Sequence, residues 1–308
     1  MGNLPAGAVV VVGSINLDQI VTVGRHPQPG ETLIGTSMTL LPGGKGANQA
    51  VAAARLGASV TMIGAVGDDV HATAATSLLV GSGVDVSRVA TASGPTGLAI
   101  VTVDSTGENT IVVVPGANAS MDGQAVETHA DAVSGAAVVV LQGEIPATGI
   151  SAAMRLASGR VVLNLAPVID IDPEIVRAAD PLVVNEHEAG LLLTQLVHGD
   201  SVPDGDGGLV AALRLWGIRS VVLTRGAKGA ICSDSSGTYE VPAPTVTAVD
   251  SSGAGDAFVG ALSGALAEGS TLLAAVRNAV RVGAFAVQSS GTQSSYPTLN
   301  DRLPEVNR

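Results

Sequence analysis

The sequence predicts an α/β fold, with a parallel sheet covered by helices on both faces and a small antiparallel sheet inserted into it. Three observations carry that expectation. Short Val-rich runs recur at 8–12, 60–63, 137–141, 161–165, 182–184 and 221–224. They are β-branched and lack polar alternation, as strands buried on both faces must be. Helical stretches at 46–56, 150–156 and 210–216 fall between these runs, and strand, helix, strand in that rhythm builds βαβ units. A third group of runs, at 32–41, 98–103 and 110–114, has no helices between its members. The last two are joined by Asp104-Ser-Thr-Gly107-Glu-Asn109, a turn-rich link that predicts a hairpin.

The remaining elements follow in order. After residue 246 the chain turns helical, at 255–266 and again at 272–287, and 202–208 reads as a surface loop. The chain of 308 residues and 30.3 kDa is long enough for one large α/β domain, residues 1–308, with a lid contributed by strands at about 16–41 and 97–115. The lid runs Leu98 to Val103 and Ile111 to Val114 are apolar on both faces. A lid over a ligand needs one apolar face, so the second is expected to meet an identical lid in a homodimer. A charge placed at Val101 or Val113 should then weaken association.

Composition excludes several classes. Hydrophobic residues make up 46% and charged residues 14%, which rules out global disorder. A net charge of −12 with 2% aromatics leaves neither the basic stripe nor the stacking platform of a nucleic-acid binder. The single cysteine, Cys232, has no intrachain partner and reads as a small buried hydrophobe. Mean hydropathy is +0.43, but Ala, Val and Gly cause it, and no apolar run approaches the ~18 residues of a spanning helix. The start carries no basic region, and Ala6 stands where myristoylation wants Ser or Thr. A cytoplasmic setting without membrane attachment is expected.

Two glycine-rich stretches concentrate the chemistry. Pro42-Gly43-Gly44-Lys45-Gly46-Ala47-Asn48-Gln49-Ala50 is not a Walker A loop, because Thr39 and Gly46 occupy positions that need Gly and Ser or Thr. It reads either as a plain glycine helix entry or as a turn that lets a ligand approach, with Lys45 and Asn48 as bonding groups. In Val249-Asp250-Ser251-Ser252-Gly253-Ala254-Gly255-Asp256-Ala257-Phe258, small residues open a helix whose free N–H groups can hold an anion. Asp256 lies in that first turn, either as a partner for the helix dipole or as a general base.

The two stretches together resemble the signatures of the ribokinase-like (PfkB) carbohydrate kinases. The resemblance runs through nearly the whole chain, by way of Gly13-Ser-Ile-Asn16-Leu-Asp18, Pro29-Gly-Glu31-Thr32, Gly67-Asp-Asp69, Gly116-Ala-Asn118 and Asn185-Glu-His-Glu188. It implies a doubly wound αβα sandwich with a small antiparallel β lid. It also implies an ATP-dependent sugar kinase, acting on D-ribose at the C5 hydroxyl. Another sugar or a nucleoside is the alternative within the family, and a catalytically silent sugar binder the alternative outside it. The few aromatic residues argue against a nucleoside, and an intact Asp256 motif argues against a silent binder.

Roles are implied position by position. Asn16, Asp18, Gly44, Lys45 and Asn48 are similar to the family's sugar cradle, with Glu144 as a further contact. Asp256 is the implied base, which also touches the sugar, and the Gly253, Ala254 and Gly255 amides the implied anion hole. Asn185 and Glu188 fit a motif that supports phosphate and Mg²⁺ through water, which suits an ion that dehydrates reluctantly. Glu186 and His187 between them are expected to face away. Thr224, Gly226 and Gly229, with Gly255, resemble the nucleotide site. Arg225 and Lys228 either add charge there or are solvated loop cations. A K⁺ site is implied at Asp250, Ser252, Ala286, Ser289, Gly291 and Ser295, mostly through main-chain carbonyls. Where family members often carry Asn or His near the adenine, Val280 stands here, with Asn278 two residues earlier.

Overall fold

A computed structural model describes residues 4–196 and 202–306; the first three residues of the start discussed above lie outside it. Valine runs become the centre of a large sheet. In chain order the strands are β1 Val9–Val12, β2 Asn16–Thr22, β3 Ser37–Gly43, β4 Val60–Gly67, β5 Asp85–Ala92, β6 Gly97–Val103 and β7 Asn109–Val114. They continue with β8 Val138–Gln142, β9 Arg160–Asn164, β10 Leu182–Asn185, β11 Val221–Thr224, β12 Ala230–Asp234 and β13 Gly237–Val241.

One sheet has the order β13-β12-β11-β10-β9-β8-β1-β4-β5. Its pairs are parallel from β11 to β5, and β12 and β13 close one edge as antiparallel strands. Successive side chains of a strand point to opposite faces, and both faces are covered. Val9 and Val11 pack with the helices Lys45–Arg55, Ala254–Ala267 and Leu272–Ala286. Val10 and Val12 pack on the other side with Ala147–Leu156, Glu186–Leu196 and Asp206–Leu215. Cys232 is buried in β12, and burial pushes its thiol up to about 11.

The order reverses at β1, which pairs with β4 on one side and β8 on the other. Such a switch point opens a crevice beyond the carboxyl ends of the strands. Polar residues stand at those ends. β8 finishes on Gln142 beside Asn164 of β9, and β10 finishes on Asn185 beside Thr224 of β11.

The lid sheet has the order β3-β2-β6-β7. The expected hairpin of β6 and β7 is antiparallel, as is β2 with β3, while the central pair β2 and β6 runs parallel. The run 32–41 enters the sheet only from Ser37. β2, with its mixed sequence Asn-Leu-Asp-Gln-Ile-Val-Thr, gives no apolar run to find. Register puts Val101 and Val113 on the face that carries Asp18, through the pairs Asp18 with Ala99 and Ala99 with Val113. Val112, Ile100, Leu40 and Met38 share the opposite face, and Val112 is 62% exposed. Among the described residues no helix is long and apolar enough to cross a membrane.

Candidate active site

Glycines bring the first motif against the end of β1. Gly44 precedes the helix Lys45–Arg55 at φ 86, and a Cβ there would stand 2.8 Å from the Asn16 amide. At Gly46 a Cβ would meet the Ser14 amide at 2.6 Å. The carboxylate of Asp18 fills the space beside Gly43, where a Cβ would come within 2.1 Å of it. At Gly44 and Gly46 no side chain fits, because the atoms in the way are main chain, whereas at Gly43 the obstacle is the Asp18 carboxylate.

Asn16 is buried, and its Oδ1 accepts from Asn118 Nδ2 at 2.7 Å. Asn118 Oδ1 in turn accepts from the Ile15 amide at 2.9 Å, so the loop after β7 orients the residue after β1. Glu144, just beyond β8, accepts from Ser14 Oγ at 2.5 Å and from the Lys45 amide at 3.0 Å. These bonds tie the two strands of the switch point to the start of the helix Lys45–Arg55.

Asp256, in the first turn of Ala254–Ala267, is 7% exposed. Asn48 Nδ2 donates to its Oδ2 at 2.8 Å, and Gln49 Nε2 donates to its Oδ1 at 2.9 Å. Lys45 stands among the carboxylates of Asp256, Glu144, Glu188 and Asp18. Asp256 is the strongest of them in holding its ammonium above the usual range. Asp18 is the opposite case to Asp256. Its Oδ1 is buried without a hydrogen-bond partner. Burial, then the charges of Glu144 and Asp256, push its carboxyl up to about 7 against the pull of Lys45.

The helix start is held from behind. Gly253 adopts φ 71, where a Cβ would fall 2.2 Å from Thr292 Cγ2, and buried Tyr296 donates its hydroxyl to the Gly253 carbonyl at 3.1 Å. Amides of a first helical turn have no acceptor within their own helix, although the Ala254 N–H turns back to the Ser251 carbonyl at 3.3 Å. Asp250 accepts from the Ser252 and Gly291 amides, both at 2.9 Å. Burial works against its ionised form, and those two bonds outweigh burial and hold the carboxyl below its usual range. Ser289 donates its amide to the Ala286 carbonyl, and Ser295 donates its hydroxyl to the Thr292 carbonyl. The segment 286–295 is therefore drawn onto the Asp250 loop. Among the described residues no three His, Cys, Asp or Glu gather as metal ligands; the groups on offer suit a carbonyl-held monovalent ion or a hydrated divalent one.

Asn185 and Glu188 bond each other. Each amide donates to the other's side chain at 2.8 Å, a reciprocal cap on the helix Glu186–Leu196. Burial raises the Glu188 carboxyl, with Lys45 and the Asn185 amide opposing. Thr224 ends β11 beside Asn185. Gly226 and Gly229 take φ 54 and φ 92 in the turn that follows, and at Gly229 a Cβ would meet the Val241 carbonyl at 2.0 Å. Lys228 pairs with Glu186 at 3.5 Å. Arg225 is turned inward between Asp206 and Glu240, at 3.6 Å and 3.3 Å, so it is a structural cation linking the helix Asp206–Leu215 to the edge strand β13. Val280 packs in the core, with Asn278 half-buried on the same helix.

Several residues of this cluster are given no role by the sequence reading. Ser14, Asn118 and Tyr296 act through other residues. Gln142, Asn164 and Gln293 are buried amides far away in the chain, in reach only after folding. Ser14, Gln49 and Asn118 lay inside the motifs but drew no assigned role.

The family model for the pfkB family of carbohydrate kinases matches residues 7–299. A ribokinase of Bacillus subtilis is 36% identical over 296 residues, which span 95% of this chain and 97% of that protein. A deoxyribokinase of Salmonella typhi is 34% identical over 301 residues, 94% of this chain and 96% of that one. Among solved structures, Arabidopsis thaliana ribokinase complexed with ribose and ATP superimposes with a TM-score of 0.84. It is 30% identical, over 96% of this chain and 97% of that one.

Proposed function

The chain belongs to the pfkB family of carbohydrate kinases, and we propose that this sugar kinase transfers the γ-phosphoryl group of ATP to O5 of D-ribose. Asp256 carries the reading, as a buried carboxylate with each oxygen bonded to an amide, set in the first turn of a helix whose opening amides lack acceptors within the helix. As base it takes the proton of the C5 hydroxyl while that oxygen bonds to the γ-phosphorus and the bond to ADP breaks. Helix-start amides of Gly253, Ala254 and Gly255 stabilise the charge that develops on the phosphoryl oxygens. Asn16, Asp18, Gly44, Lys45, Asn48 and Glu144 hold the sugar hydroxyls.

Thr224, Gly226, Gly229 and Gly255 approach the nucleotide, with Asn278 and Val280 on the adenine side. Asn185 and Glu188 would hold Mg²⁺ through water, and the ion would neutralise charge on the phosphates. Asp250, Ser252 and the carbonyls of Ala286, Ser289, Gly291 and Ser295 would hold K⁺, which would fix the loop before the anion hole. The lid pairs with that of a second copy. Exposed Val112, Met38, Leu40 and Ile100 on the face away from Asp18 support this. A cytoplasmic setting accords with the substrates and with the single buried thiol.

The Salmonella deoxyribokinase favours a second reading, a kinase for 2-deoxyribose. The unpartnered oxygen of Asp18 weighs for the sugar with more hydroxyls. A site built to bond a hydroxyl rejects an analogue lacking it by as much as ~10⁴-fold. Phosphorylation rates for ribose, 2-deoxyribose, fructose and adenosine at fixed ATP decide the matter. The highest kcat/KM is expected for ribose, and a higher value for any of the others overturns the assignment.

A further inference from the structure

Asp256 is the meeting point of two chains of buried side-chain amides, and the polarity of each link follows from its neighbour. The main-chain carbonyl of Val183, in β10, can only accept a hydrogen bond. Asn164 therefore turns its Nδ2 toward that carbonyl, 3.0 Å away, and its Oδ1 toward Gln49. Gln49 answers with Nε2 at 3.0 Å, and the second proton of the same nitrogen falls on Asp256 Oδ1 at 2.9 Å. Gln142 closes the arrangement by donating Nε2 to Gln49 Oε1 at 2.7 Å. On the other side Gln293 Nε2 donates to Asn48 Oδ1 at 2.9 Å, which leaves Asn48 Nδ2 for Asp256 Oδ2.

We infer that Gln49 is a positioning residue for Asp256, turned by Asn164 and Gln142 so that it offers the carboxylate a donor and never an acceptor. The inference rests on Asp256 being the base. Gln49 and Gln142 are both 0% exposed, so neither can touch a sugar or nucleotide entering the crevice, and any effect on turnover passes through Asp256. A reversed Gln49 amide would set oxygen against oxygen and swing the base away from the hydroxyl. Sheet and base are thereby linked, with a carbonyl of β10 setting the direction of a bond made on the opposite wall.

A double-mutant cycle tests this. Gln49→Met keeps the shape and removes the donor. Its kcat is expected to fall by about 10–100-fold, the usual cost of a misplaced reacting group, with the sugar KM within about threefold. Gln142→Met, which does not touch Asp256, is expected to lower kcat in the same way. The double variant should be no slower than Gln49→Met, because both act through one bond. Gln49→Glu supplies a second readout if Gln49→Met does not fold. It keeps the acceptor for Gln142 but sets a carboxylate against Asp256, which already faces Lys45, Asp18 and Glu188. The acid limb of kcat is expected to move up by more than ~1 pH unit.

A kcat for Gln49→Met within about threefold of the parent, losses that multiply in the double variant, or an unmoved acid limb in Gln49→Glu overturns the inference. If Asp256→Asn is itself fully active, the reading of Asp256 fails. If Asp256→Asn is inactive and Gln49→Met is not, only the role of Gln49 fails.

Discussion

Asp256 and Asp18 share one cleft and are held in opposite ways. Asp256 belongs to the α/β body, at the start of the helix Ala254–Ala267, and both its oxygens are bonded to amides. Asp18 belongs to the lid strand β2; its Oδ1 is buried with no partner, and its carboxyl is pushed up to about 7. A carboxylate bonded on both sides is already in its working geometry and loses little on reaction. A buried one without a donor is costly until a ligand supplies it. On the proposed reading, the body is assembled for chemistry and the lid is left incomplete for recognition.

That contrast is broken most sharply by exchanging Asp256 for Asn. A fall in kcat of at least ~10²–10⁴ is expected, the usual worth of a positioned base. A variant retaining a tenth of the parental rate would remove Asp256 from the mechanism.

On the lid, Val112→Asp is the next test. Val112 lies on the face away from Asp18, so a charge there meets the partner rather than the sugar. Association is expected to weaken by ~100-fold or more, the effect of an unpaired charge in a dry contact, and the ribose KM to rise with it. The Val101 and Val113 positions share the Asp18 face, and charges there would confound the two effects. A monomer of undiminished activity in light scattering would contradict the lid dimer.

Acidity sharpens the same comparison. On the proposed reading, ionised Asp18 accepts hydrogen bonds from sugar hydroxyls and neutral Asp18 does so poorly, so the ribose KM should fall several-fold between about pH 6 and pH 8. Without ligand the sign for stability is reversed. The raised carboxyl keeps a proton in the folded state that the unfolded chain has released, so its contribution is full below about pH 4 and is lost as the pH rises through about 7. A KM flat across that range, measured by initial rates, would show that Asp18 does not receive a sugar hydroxyl. The smallest effect expected is a few-fold gain in rate when K⁺ replaces Na⁺ at constant ionic strength, abolished in Asp250→Ala. Equal rates in the two salts would remove the cation from the Asp250 loop.

How much was legible follows the same division. The run at 137–141 became β8 within a residue, since continuous Val and Leu leave a strand nowhere to go but between two layers. Asn109–Val114 is equally rich in valine, yet every residue of β7 is exposed. Composition names a strand but not what covers it. β2 sets Asp18 and Gln19 side by side among its apolar residues, so it offers neither an apolar run nor a clean alternation to find. The glycine motifs marked Asp256 and Lys45 because close approach demands Gly locally. The amides behind Asp256 left no such mark, as Gln142 and Asn164 reach Gln49 across 93 and 115 residues of chain.

The division between a body that reacts and a lid that recognises is tested most directly by calorimetric titration of ribose into Asp256→Asn and Asp18→Asn side by side. Asp256→Asn is expected to bind ribose within about threefold of the parent, since an amide still accepts from the hydroxyl. Asp18→Asn is expected to bind at least ~10-fold more weakly, because Asp18 Oδ1 has no partner of its own and a neutral amide replaces a charged acceptor in its bond to the sugar. Ribose lost from Asp256→Asn and retained by Asp18→Asn would contradict it.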